Sequence, residues 1–130
     1  MKPLYLIACS ASKLDRAAAA ADIYTGQAFK LAMKAARRAD AEVIILSALH
    51  GAITPDQVIE PYNSFLGGMN KADRAAWAAR TAAQLAPYAD REAVILAGKH
   101  YAAAAAAFKN KTLPLAGLGI GQQLAKLSTL

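Results

Sequence analysis

The sequence predicts an α/β domain, a three-layer sandwich in which a mainly parallel four-stranded sheet lies between helices. Three observations predict it. Short apolar runs of strand length recur at Leu4–Ala8, Glu42–Leu46 and Ala93–Ala97. Each is followed by a longer stretch with helical spacing or high alanine content, and strand–helix alternation of this kind builds parallel sheets with helices on both faces. No repeat, linker or shift in composition divides the 130 residues, so residues 1–130 read as one domain.

The elements follow in order. Leu4–Ala8, bounded by Pro3 and by Cys9-Ser10, reads as a buried strand. "SASKLDRAAAAADIYTG" is a polar loop whose alanine tract, Ala17 to Ala21, reads as helix because Ala is the best helix former. Thr25 is placed to cap a helix running through Phe29, Leu31 and Met33 to about Ala39. Glu42–Leu46 is the second strand, and a long polar loop, Ser47 to Leu66, follows it. Asn70 caps the next helix, with Asp73 in its first turn, where a carboxylate suits the helix dipole. That helix passes Trp77 and Leu85 and stops near Pro87. Ala93–Ala97 is the third strand, and Ala102–Ala107 reads as a short helix. "TLPLAG" is a fourth strand, placed at an edge because Pro114 cannot donate to a ladder, and "GIGQQLAKL" closes as a helix.

Hydrophobic residues make up 56% of the chain, but much of this is Ala, so the core must rest on the Ile, Leu and Val strands and a few aromatics. The formal charge of +6 favours phosphate-bearing partners. Lys30, Lys34, Arg37 and Arg38 share one predicted helix, and a solvated helix face accounts for them equally well. Cys9 is the single cysteine, which excludes an internal disulfide. No apolar run is long enough to span a bilayer. "MKPLYLIACS" reads as a first strand rather than a signal peptide, so the cytoplasm is the expected location.

Open parallel sheets bind ligands beyond the carboxyl ends of their strands. The residues just after the predicted strands are Cys9, Ser10, Ser12, Lys13 and Asp15; then Ser47, His50, Gly51, Asp56, Glu60 and Tyr62; then Gly98, Lys99, His100 and Tyr101; then Gly117, Gly119 and Gly121. Titratable, hydroxyl and glycine residues thus gather along one edge, and the long second loop is expected to wall a pocket. Pro61 pushes Glu60 into an extended conformation and fixes its direction, while Tyr62 offers a ring that can stack a base. Asp56 after Pro55 is equally a turn pair, and Cys9, flanked by apolar residues, reads as a packing residue rather than a nucleophile. "GLGIGQQ" fits neither the dinucleotide nor the triphosphate loop in spacing, and reads as a tight turn into the last helix. The two histidines lack metal-ligand spacing, and no "GxSxG" elbow is present; neither a metal nor a cofactor is expected.

The stretches "ACSASKLD", "DIYTGQAFKLA", "VIILSALHGAITPDQVIEPYNSFL", "LAGKHY" and "LAGLGIGQQLAKL" together resemble a family of small bacterial and phage proteins, domain-of-unknown-function family 6884. The resemblance spans nearly the whole chain in the same order. That family looks distantly related to YaaA-like proteins and to the core domain of archaeosine synthase, which has a similar "CS" plus Lys stretch. The resemblance implies a uracil-DNA-glycosylase-like fold and a connection to nucleobases or nucleic acid. It carries over to Cys9, Ser10, Lys13, Tyr24, His50, Gly51, Asp56, Glu60, Tyr62, Lys99, Tyr101, Gly119 and Gln122.

The expected activity is that of an N-glycosidase acting on a modified or damaged nucleobase, in DNA or as a nucleotide. Asp56 or Glu60 would stabilise the cationic sugar and orient water, and His50 would protonate the departing base. Tyr24, Tyr62 or Tyr101 would stack a flipped base, and Lys13 and Lys99 would hold phosphates. Cys9, Ser10, Gly51, Gly119 and Gln122 complete the expected binding set. The alternatives are a non-catalytic nucleic-acid-binding module and a nucleotide-sensing protein. His50, Glu60 and Tyr62 are expected to face one cleft with Ser10 and Lys13, with Glu60 paired to Lys13 or His50.

Overall fold

A computed structural model describes residues 2–130. The chain is α/β, built on a mixed five-stranded sheet. Strand β1 (Leu4–Ala8) lies at the centre. It pairs in parallel with β3 (Glu42–Ser47) on one side, Leu6 opposite Ile44, and with β6 (Ala93–Leu96) on the other, Leu6 opposite Ile95. Strand β4 (Gly51–Ile53) folds back antiparallel on β3, and β7 (Lys111–Thr112) continues in parallel beyond β6. A separate two-stranded sheet joins β2 (Ala18–Ala19) to β5 (Val58–Ile59).

The expected four-stranded sheet is thus corrected to five strands of mixed direction. The extra strand, β4, is three residues long and leaves no periodic trace in the sequence. The fourth expected strand shrinks to Lys111–Thr112, because Leu113 to Ala116 close a turn through the Ala116 N–H and the Leu113 carbonyl. The alanine tract expected as helix divides into β2 and one turn of helix α1 (Ala20–Ile23). The long loop causes this: Gln57 and Pro55 carbonyls accept from the Ala20 and Ala21 N–H groups at 2.8 and 2.9 Å, so tertiary pairing overrides intrinsic propensity.

Alternation along the strands sends apolar side chains to both faces. Ile7, Ile45 and Leu96 meet Phe29, Ala32, Met33 and Ala36 of helix α2 (Gln27–Arg38) and Leu127 of helix α5 (Ile120–Thr129). Leu4, Leu6, Ile44, Leu46 and Ile95 meet Trp77 and Leu85 of helix α3 (Lys71–Leu85), together with Ala104 and Phe108. Helix α4 (Lys99–Ala102) is a single turn that continues as a 3₁₀ turn, Ala103–Ala105. Asn70 caps α3 as expected, its Oδ1 accepting from the Asp73 N–H at 2.8 Å. Gly26, not Thr25, is the cap of α2. Among the described residues no helix is long and apolar enough to cross a membrane.

Candidate functional site

From β1 the chain crosses by α2 to β3 on one side, and later returns by α3 to β6 on the other. The loops leaving the carboxyl ends of β1 and β6 therefore part to opposite faces, and a crevice opens between them. It is a cleft of about 580 Å³. Its floor is Ala8, Cys9 and Ser10 after β1 and Ala97 and Gly98 after β6. The first turn of α2 forms one wall, Lys99 to Tyr101 another, and Ile120, Gln123 and Leu124 of α5 cover it. The volume is that of an ordinary small-ligand pocket.

Ser10 builds one corner. Its Oγ accepts from the Gly26 N–H at 3.1 Å and donates to the Ser12 carbonyl at 2.8 Å, drawing the start of α2 down onto the β1 loop. The approach is so close that a Cβ on Gly26 would lie 2.6 Å from the Ser10 Cβ. Across the cleft, the Cys9 thiol donates to the Tyr101 hydroxyl at 3.6 Å, and the Leu66 N–H donates to the same oxygen at 3.3 Å. The Tyr101 hydroxyl is thus anchored from two sides. Tyr101 is held by an edge contact to Trp77, ring centroids 5.5 Å apart.

A second cluster lies toward β3 and β4. The Tyr62 hydroxyl shares one 2.7 Å hydrogen bond with Tyr24 and another with Ser47. Ser47 Oγ also accepts from the His50 N–H at 3.0 Å, and its carbonyl accepts from the Trp77 indole at 2.9 Å. Lys13 Nζ sits 4.2 Å from the centre of the Tyr62 ring, within cation–π range, while donating to the Ala11 carbonyl at 3.0 Å. The His50 ring meets Tyr62 edge-on at 5.7 Å.

A family model described as "Family of unknown function (DUF6884)" matches residues 4–129. The chain belongs to this family. No curated protein and no solved structure matches it.

In this member of DUF6884, Cys9 lies between the two clusters, packed against the core on both faces of the sheet and hydrogen-bonded to Tyr101. Burial pushes all three tyrosine hydroxyls above their usual range, most strongly Tyr62, and the neighbouring sulfur adds to this. They are neutral hydrogen-bond donors at physiological pH. Burial also lowers Lys13, and Cys9 partly opposes the shift.

The sequence-expected residues divide accordingly. Cys9, Ser10, Lys99 and Tyr101 line the cleft. Lys13, Tyr24, His50 and Tyr62 gather in the adjoining cluster, where Tyr24 is buried and serves packing and hydrogen bonding rather than an open stacking face. The expected pairing of Glu60 with Lys13 or His50 is corrected: the Glu60 side chain is exposed, and none of the ion pairs among the described residues includes it. Pro61 holds the chain extended, but Ile59 is the residue that β5 turns inward, and its neighbour faces out. Asp56 is exposed and accepts from the Thr54 hydroxyl at 2.7 Å, the turn role. Gly51 has φ +74, and a Cβ there would strike Gln84, so its work is to let β4 turn back. Gln122 caps α5, its Oε1 accepting from the Gly119 N–H at 3.1 Å; the cleft contacts come from the neighbouring Ile120 and Gln123.

Sequence reasoning missed Gly26, Gln123 and the role of Ser47. Gly26 had a legible signal, a glycine directly before a helix. Ser47 ends an apolar strand run and is fully buried, a placement only its partners Tyr62 and His50 explain.

Proposed function

We propose that this protein binds a nucleobase-bearing ligand, a nucleotide or an unpaired nucleotide of a nucleic acid, in the cleft between β1 and β6. The observation that carries the reading is the cleft itself: about 580 Å³ at the point where the strand order reverses, walled by small residues, with the neutral Tyr101 hydroxyl and Lys99 on one side. A neutral, positioned donor beside an aromatic ring suits a base carbonyl or ring nitrogen, and Lys99 at the rim suits a phosphate. Kinship with YaaA-like proteins and archaeosine synthase, a uracil-DNA-glycosylase-like architecture and a cytoplasmic location belong to this proposal. They rest on the sequence motifs alone.

N-glycosidic cleavage is the second reading. The neutral Tyr101 hydroxyl in the cleft beside Cys9 favours it, since such a donor stabilises a departing base. It has lost the carboxylate expected of it, because Asp56 and Glu60 are both exposed and neither lines the cleft. Binding is therefore the better supported function.

Calorimetric titration with the common nucleoside monophosphates and free bases tests it, alongside Gly98→Val. A Cβ on Gly98 meets no atom within 4 Å and its φ is −68°, so a side chain there adds bulk to the cleft wall without backbone strain, and circular dichroism checks that the variant is folded. Saturable binding weakened tenfold or more by Gly98→Val supports the reading. Binding indifferent to that variant, or none to any base or nucleotide, overturns it. Release of free base from a bound nucleotide, followed chromatographically, would place cleavage above binding.

A further inference from the structure

Helix α2 carries a charged stripe that its own packing does not explain. Lys30, Lys34 and Arg37 stand at i, i+4 and i+7, so they line one face, and all three are exposed. The sequence of the helix, "QAFKLAMKAARR", holds no acidic residue. Among the described residues the three side chains take part in no ion pair, and Asp40 just past the helix end is engaged by Lys2 at 3.3 Å. Arg38, the fourth cation, donates to the Leu130 carbonyl and so is committed to holding α5. The stripe borders a hollow of about 370 Å³ lined by these three residues together with Ala21, Phe29 and Met33.

We propose that this face of α2 is a docking surface for the phosphate backbone of a single-stranded nucleic acid, leading toward the cleft between β1 and β6. The proposal rests on the cleft reading for the direction of the strand, not for the contact itself. Seven residues of helix rise about 10 Å, and the long side chains of Lys30, Lys34 and Arg37 extend that reach to successive phosphates of a strand. The first turn of the same helix, Gly26 to Phe29, walls the cleft, so a strand lying along the stripe and passing over that turn reaches the crevice. The crevice admits an unpaired base rather than a duplex. A bilayer is the poorer occupant: Phe29 and Met33 are buried in the core, and the stripe therefore presents no apolar face to insert.

The test is fluorescence anisotropy on the native protein and on the triple variant Lys30→Gln, Lys34→Gln, Arg37→Gln, with circular dichroism to show that both are folded. The probes are labelled single-stranded DNA and RNA of about 12 nucleotides, within the usual site size for such binders. Duplex DNA and phosphatidylserine vesicles form two further arms, and polyglutamate serves as a competitor. Salt is varied from about 50 to about 200 mM, a range over which counterion release is resolved. The expected result is binding of a single strand whose log–log salt slope falls in magnitude by about 2 in the variant, about 0.7 per lost phosphate contact. An unchanged slope overturns the proposal. So do equal or tighter binding to duplex, binding confined to vesicles, or displacement by polyglutamate as efficient as by unlabelled strand. Mononucleotide titration of the same variant separates the two readings. If it binds as the native protein does while the slope is unchanged, the cleft stands and the stripe falls; strand binding with the predicted slope and no mononucleotide binding reverses that outcome.

Discussion

The carboxyl edge of the sheet is built in two contrasting ways on either side of β1. Toward β3 and β4 the polar groups have used one another up: Ser47, Tyr62 and Tyr24 are joined by hydrogen bonds of 2.7 Å, and Lys13 lies on the face of Tyr62. Toward β6 and the start of α2 the surface is mostly small residues and backbone, Ala8, Ala97, Gly98 and Gly26, with the Tyr101 hydroxyl among them. The side rich in chemistry is the framework, and the plain side holds the room. A buried polar network that satisfies itself rigidifies what it touches, whereas a ligand needs donors that the protein has not already paired.

The largest effect should come from the satisfied side. Ser47→Ala removes a hydroxyl that is fully buried and leaves the His50 N–H and one link of Tyr62 without a partner. It is expected to cost about 2–3 kcal/mol, read from the urea midpoint at unchanged slope. A cost below about 0.5 kcal/mol would show the network to be ornamental.

Gly26→Ala comes next. Its Cβ would press on Ser10, and overpacking of that order costs about 1–3 kcal/mol. Because Ser10 and the start of α2 form one corner of the cleft, nucleotide affinity should fall with stability in this variant. In Gly98→Val affinity should fall alone. If the two variants behave alike, the close approach at Gly26 is not what shapes the cleft.

Alkaline pH offers a smaller effect with a definite sign. Burial raises Tyr24, Tyr62 and Tyr101 above their unfolded values, so the unfolded chain releases its protons first. Their contribution is complete below about pH 10 and is lost as pH climbs beyond it. Lys13, lowered by burial, acts oppositely in the window just below its unfolded value, and its half-exposed position makes that slope slight. The melting temperature should therefore fall from about pH 10 upward, and less steeply in Tyr62→Phe than in the native protein. Equal slopes in the two proteins would remove Tyr62 from the account.

The smallest effect is expected at Glu60. Glu60→Gln should change stability by less than about 0.5 kcal/mol and leave nucleotide affinity and any base release untouched. A tenfold loss of base release in that variant would return a carboxylate to the chemistry.

The frame of the fold was legible in the sequence because it rests on long-range burial that leaves a local pattern. Leu4–Ala8, Glu42–Ser47 and Ala93–Leu96 are apolar runs, and Asn70 with Asp73 is a helix start that chemistry alone determines. The missing pieces are short. Three residues of β4 and two each of β2 and β5 cannot show a period, and they form because a loop happens to lie beside them. The site was half legible for the same reason. Residue type told where hydroxyls, rings and cations lie along the edge, and Cys9, Ser10, Lys99 and Tyr101 do line the cleft. Type does not tell which polar groups will consume each other, so Glu60 looked functional and Gly26 did not.

One consequence of the strand order concerns synthesis. The central strand, Leu4–Ala8, is the first to leave the ribosome, yet one of its two partners begins at Glu42 and the other at Ala93. For most of translation its second edge stays open, a row of unpaired backbone groups on an apolar ribbon. Only when Leu96 has emerged does that edge close, and the cleft floor forms with it, since Cys9 and Gly98 follow the two strands that then meet. Pairings so distant along the chain are slow to form and leave the nascent ribbon exposed to other chains. The cleft and the protection of the central strand's open edge are therefore completed by one late event, the docking of Ala93–Leu96.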